Sequence, residues 1–156
     1  VEVIELITAA DFSVKLADVS SSNFVALAYA TGWELNTDVG IKTPSEVRLT
    51  SQKPTTVGLH KATFENAEGK TITVNVLVTN EAPVNNETVV ANNFTVKLSD
   101  VARADFISLA NAKGYNVTDI NNIVEIPVTL ISVKPTTAGK HTVRFETANG
   151  GYTGLL

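Results

Sequence analysis

The sequence predicts a mainly β chain made of two tandem β-sandwich modules, each with a short helix after its first strand. Two observations carry this. The first is an internal duplication. Residues 8–33 and 90–115 align at an offset of 82 with twelve of 26 positions identical, and 53–65 and 134–146 align at an offset of 81 with eight of 13 identical. Two ordered blocks at nearly one offset mark a repeated structural unit. The second is period-two alternation of apolar and polar residues, the mark of half-buried strands.

The elements follow in order. Phe12, Val14 and Leu16 alternate with Ser13 and Lys15 and read as a first strand; Phe94, Val96 and Leu98 repeat it. A helix is predicted over about 20–31. There Phe24, Leu27 and Ala28 form an apolar stripe, Ser20–Ser22 offer N-caps, and Gly32 offers a left-handed stop. Phe106, Leu109, Ala110 and Gly114 copy that design. Val47 and Leu49, matched by Val128 and Leu130, form a further strand before the KPTT turn. His60, Ala62 and Phe64 then alternate with Lys61, Thr63 and Glu65. The loop 66–69 ends in a glycine where positive φ is expected. Ile72, Val74, Val76 and Val78 face one way on the returning strand. Its counterpart starts near Tyr152, so the second module is expected to have its last strand cut short or very short. Residues 80–86, punctuated by Pro83 and asparagines, read as the linker. The module boundaries are therefore 1–82 and 83–156.

Composition narrows the function classes. At 44% hydrophobic and 18% charged, the chain is globular in type. A net charge of −4 without basic clusters argues against nucleic acid and anionic membranes. There is no cysteine, hence no disulfide or thiolate metal site. No apolar run approaches the roughly 20 residues that span a bilayer, so no membrane insertion is expected. The sequence has no methionine and opens Val1-Glu2-Val3 without the features of a signal peptide. It reads as a mature or excised segment of a longer chain.

The stretch GLHKATFENAEGKTITVNVLVT resembles the closing hairpin of bacterial immunoglobulin-like domains, and GKHTVRFETANGG repeats it. FTVKLSDVARADFISLANAKGY is similar to repeats of Gram-positive cell-wall-anchored surface proteins, in which a strand leads into a short Ala/Leu helix. His60 and His141 stand where tyrosine is frequent in that hairpin. The resemblance implies tandem immunoglobulin-like sandwiches in an exported, surface-displayed protein, attached to the cell wall or surface through a parent chain. Its partners would be other modules of the parent and a host or cell-wall protein or glycan.

Candidate chemistry is sparse. No phosphate loop, nucleophile elbow, HExxH or calcium-loop spacing occurs. Neither a catalytic residue, a metal site nor a cofactor is expected. His60 and His141 read as hydrogen-bonding residues at the core edge. Trp33 and Tyr115, at equivalent positions, are the candidate ligand contacts, as a sugar-stacking platform; sealing the core is the plainer role. Lys15 and Asn75 invite comparison with the Lys–Asn cross-links of surface domains. Parity points both away from the core, which argues against the bond. Asp18 and Asp100 read as helix N-terminal residues. The expected function is a non-enzymatic structural or adhesive segment, a spacer or stalk of a cell-wall protein. The alternative is an accessory module, carbohydrate-binding in one form, of an extracellular enzyme.

Overall fold

The computed structural model describes residues 5–36, 41–119 and 122–155. They are mainly β, arranged in four small sheets. The first repeat runs β1 (Ile7–Thr8), β2 (Phe12–Lys15), a 3₁₀ turn (Leu16–Asp18), α1 (Phe24–Leu27), β3 (Thr31–Asn36), β4 (Ile41–Ser45), β5 (Val47–Leu49), β6 (Gly58–Asn66) and β7 (Thr71–Thr79). One sheet has the order β1-β3-β4 and the other β2-β7-β6-β5. All pairs are antiparallel except β2 and β7, which run parallel from Phe12 opposite Val76 to Lys15 opposite Thr79.

The second repeat runs β8 (Glu87–Val90), a 3₁₀ turn (Leu98–Asp100), α2 (Phe106–Leu109), β9 (Lys113–Asn116), β10 (Val124–Ile126), β11 (Thr129–Leu130), β12 (Val143–Glu146) and β13 (Tyr152–Leu155). Its sheets are β8-β9-β10 and β11-β12-β13. The expected last strand does begin at Tyr152. The expected first strand over Phe94, Val96 and Leu98 is not assigned as one. Residues 94–97 have no ladder partner among the described residues, and Leu98 opens the 3₁₀ turn. In the first repeat, the same sequence pattern becomes β2 only because the end of β7 pairs with it.

Alternation holds where one face is buried. On β6 and β7, Ala62, Phe64, Val74, Val76 and Val78 are all buried. They join Phe12, Val14, Val19, Phe24 and Ala28 in one core. A parallel core gathers Val89, Val101, Phe106, Ala110, Val143 and Phe145. In each, two phenylalanines meet edge to face at 5.0 Å, Phe12 with Phe24 and Phe94 with Phe106. That is the contact the ring quadrupole favours.

The helix departs from expectation. The span 20–31 contains only one α-turn, preceded by a loop that the 3₁₀ turn opens. Its cap is Asn23, whose Oδ1 accepts from Ala26 N, and Asp105 does the same for Ser108 N. The serines do not cap it: Ser21 and Ser22 hydroxyls donate back to the Asp18 carbonyl. Asp18 and Asp100 therefore belong to the 3₁₀ turns and not to the α-helix N-termini. Of the predicted stripe, Phe24 and Ala28 are buried, but Leu27 is exposed, because one turn presents only a narrow face to the sheet. The left-handed residue after the helix is Tyr29 (φ 49°), and Asn111 (φ 48°) in the copy. Gly32 and Gly114 lie instead inside β3 and β9. A Cβ on Gly32 would meet Val47 Cγ2 at 2.6 Å; one on Gly114 would meet Ile126 O at 2.9 Å. Both glycines permit close approach of neighbouring elements.

Residues 80–86 form an ordered corner. Val84 bridges to Glu87 around Asn85 and Asn86, both at positive φ (51° and 60°), the signature of a type I′ turn. Asn80 Oδ1 accepts from Ala91 N, and Thr88 Oγ1 donates to Glu81 O. Leu77 on β7 then meets Val90 and Tyr115 of the second repeat in a small apolar cluster, with Val57, Val117 and Ile123 around it.

Candidate functional sites

The two histidines are built identically. His60 Nε2 lies 2.8 Å from Thr56 O, and His141 Nε2 2.9 Å from Thr137 O. Each ring ties the chain back onto the KPTT turn, His60 from within β6 and His141 from just before β12.

That turn holds a pair of residues that alternation gave no reason to single out. Lys53 Nζ donates to Ser22 O at 2.6 Å and sits 5.0 Å from the Phe24 ring centroid. Lys134 repeats this on Ala104 O at 2.5 Å and on Phe106 at 5.0 Å. An ammonium placed over a ring and against a carbonyl neutralises polar backbone where the loop enters the helix. The identical KPTT in both copies was the available signal, but its lysine reaches about thirty residues back in sequence.

Trp33 and Tyr115 diverge in role. Trp33 is half-buried on β3, with Lys42 Nζ 4.5 Å from its ring. Tyr115 is 6% exposed and belongs to the cluster between the repeats. Burial, then the charge of Glu125, pushes its phenol above the usual range. Buried in that cluster, Tyr115 offers little surface to a sugar, whereas Trp33 keeps part of its ring accessible.

Asn75 donates from its backbone and side chain to the two oxygens of Asp11, at 2.8 and 3.2 Å. Lys15 lies opposite Thr79, four residues further along β7. At about 3.3 Å per residue that is roughly 13 Å of strand away, so Lys15 and Asn75 are not neighbours.

Glu87 is a carboxylate held from several sides. It is buried at 4% exposure and accepts from Asn149 N at 3.2 Å and Asn149 Nδ2 at 2.8 Å. Hydrogen bonds from Thr147 and Asn149 hold its acid below the ordinary glutamate value, against desolvation. It ties the corner before β8 to the β12–β13 hairpin. Asn85 Nδ2 adds a bond to Asn149 O at 2.9 Å.

Two concavities stand out. One, about 260 Å³, lies between the repeats, bordered by Gly58, His60, Asn92, Lys113 and Tyr115. The larger, about 830 Å³, opens in the second repeat between 93–98 and 137–143, with Phe94, Val96, Val101, Phe106 and Val143 in its wall. Among the described residues no group of three or more His, Asp or Glu side chains is arranged to hold a metal, and no helix is long and apolar enough to cross a membrane. No protein-family model, curated protein or solved structure matches the chain.

Proposed function

We propose that the chain is a non-enzymatic structural segment of an exported surface protein, two immunoglobulin-like sandwiches in tandem that act as a spacer. The observation that carries the reading is the junction. The connecting residues are pinned by Asn80, Glu81 and the Asn85-Asn86 turn, and Leu77, Val90 and Tyr115 are buried across it. A spacer needs this, because a flexible connection lets consecutive units fold back on each other and reach is lost. The accessory-module reading rests on Trp33 alone, whose ring already carries Lys42.

Spin labels on exposed Thr55 and Thr136 test the junction. A single narrow distance distribution is expected between them. A broad one, like that of a flexible linker, sinks the spacer reading. Labelling of intact cells of the source organism with antibodies against the segment tests surface display, which fails if only lysed cells stain.

A further inference from the structure

We propose that Asn149 is a self-modification site: Gly150 N closes on its side-chain amide, ammonia leaves, and the acid that results opens the latch on Glu87. Of the asparagines in the chain, only Asn149 is followed by glycine. Asparagine is among the thermolabile side chains. A following glycine has no Cβ to keep its nitrogen from the neighbouring amide carbon. The dipeptide lies at the tip between β12 and β13, and Asn149 is exposed to water. The attacking nitrogen is loosely held, since Gly150 N reaches Thr147 O only at 3.3 Å. Asn149 itself is gripped from outside the hairpin. Glu87 accepts from its N and Nδ2, and Asn85 Nδ2 donates to its carbonyl oxygen.

The step needs water and no other reagent. Gly150 N bonds to Asn149 Cγ, the Cγ–Nδ2 bond breaks, and the Gly150 amide proton leaves with Nδ2 as ammonia. Water then opens the cyclic imide at either of its carbonyls. One opening gives aspartate at 149. The other gives isoaspartate, which adds one carbon to the backbone between 149 and 150. Nothing is oxidised or reduced.

The fold makes the product matter. Glu87 is 4% exposed, and its two oxygens accept from Asn149 N and Nδ2. A carboxylate at 149 removes the Nδ2 donor and sets a second negative charge against the first. Two carboxylates that share a site cannot both stay ionised without cost. Isoaspartate adds length where the hairpin has no slack. A Cβ on Gly151 would already meet the Glu87 backbone at 2.5 Å. Either product therefore pushes the hairpin away from 85–88. The first repeat has no such pair. Glu68 precedes Gly69 there, and Glu5, in the place of Glu87, is exposed. The change thus acts on one repeat and leaves the other intact. It does not rest on the spacer reading.

The test follows the folded 156-residue chain at mildly alkaline pH by intact mass and fragmentation. A gain of about 1 Da at 149 is expected, with an equal amount of ammonia released. Asn149→Asp supplies one product directly. It should speed amide exchange at 85–88 by about tenfold or more, with the first repeat unchanged. Glu87→Gln added to it restores an amide–carboxylate pair with the roles reversed. That double variant should return exchange at 85–88 to near the parent rate. The proposal is overturned if only the urea-unfolded chain gains mass at 149, or if another asparagine reacts first. It is equally overturned if Asn149→Asp leaves exchange at 85–88 unchanged. Protection lost across the whole second repeat, and not recovered by Glu87→Gln, overturns it too.

Discussion

At the scale of single residues, several ties between distant segments are polar ones that alternation does not reveal. Lys53→Met removes a charged hydrogen bond and a cation over Phe24 while it keeps much of the apolar stem. A loss of about 1.5–3 kcal/mol is expected, read as a lower denaturant midpoint at unchanged slope. Glu87 sets an acid limit. Its acid is held below the ordinary value in the folded chain, so the unfolded chain binds the proton first as pH falls. Its contribution is present above the ordinary glutamate range, near 4.5, and is lost as pH drops through the lower folded value. Glu87→Gln is expected to flatten that part of the stability–pH curve; an unchanged acid slope contradicts the assignment. These contacts were not legible because Lys53 and Ser22, or Glu87 and Asn149, meet only through the fold.

At the scale of elements, legibility tracked burial on one face. β6, the first part of β7 (71–76) and β12 alternate because the core takes every second side chain, so their pattern is written in the sequence. The sequence predicts a longer helix than the one formed because a 3₁₀ turn, a loop and a single α-turn together present apolar residues at helical spacing. The glycines differ from expectation for a related reason. A glycine after a helix signals a stop, whereas the need at Gly32 comes from Val47 and Asn66, distant in sequence. Gly151 is a sharper case, with Glu87 backbone 2.5 Å from any added Cβ. Gly151→Ala is expected to cost about 1–3 kcal/mol by forcing the hairpin off β8. Gly69→Ala, strained only by its φ of 82°, is expected to cost less, on the order of 1 kcal/mol. Thermal melts of the two variants check the order.

At the scale of the whole molecule, the junction couples two otherwise separate cores. Leu77, fully buried on the face opposite to the β7 core residues, is the contact most exposed to test. Leu77→Asp places a charge in that cluster. It is expected to separate one melting transition into two and to broaden the distance distribution between the repeats; a single unshifted transition shows that the repeats are not coupled there. The duplication was legible in sequence, but the junction was not, since Leu77 sits at what alternation marks as the outward parity. The parallel pairing of β2 with β7 has a last consequence, in the response to pulling. Tension applied to the two ends of the first repeat draws β2 and β7 past each other along their length, so all the bonds between them resist together. Stretched between a bead and a surface, the first repeat is expected to give way in one sharp step and not by gradual peeling.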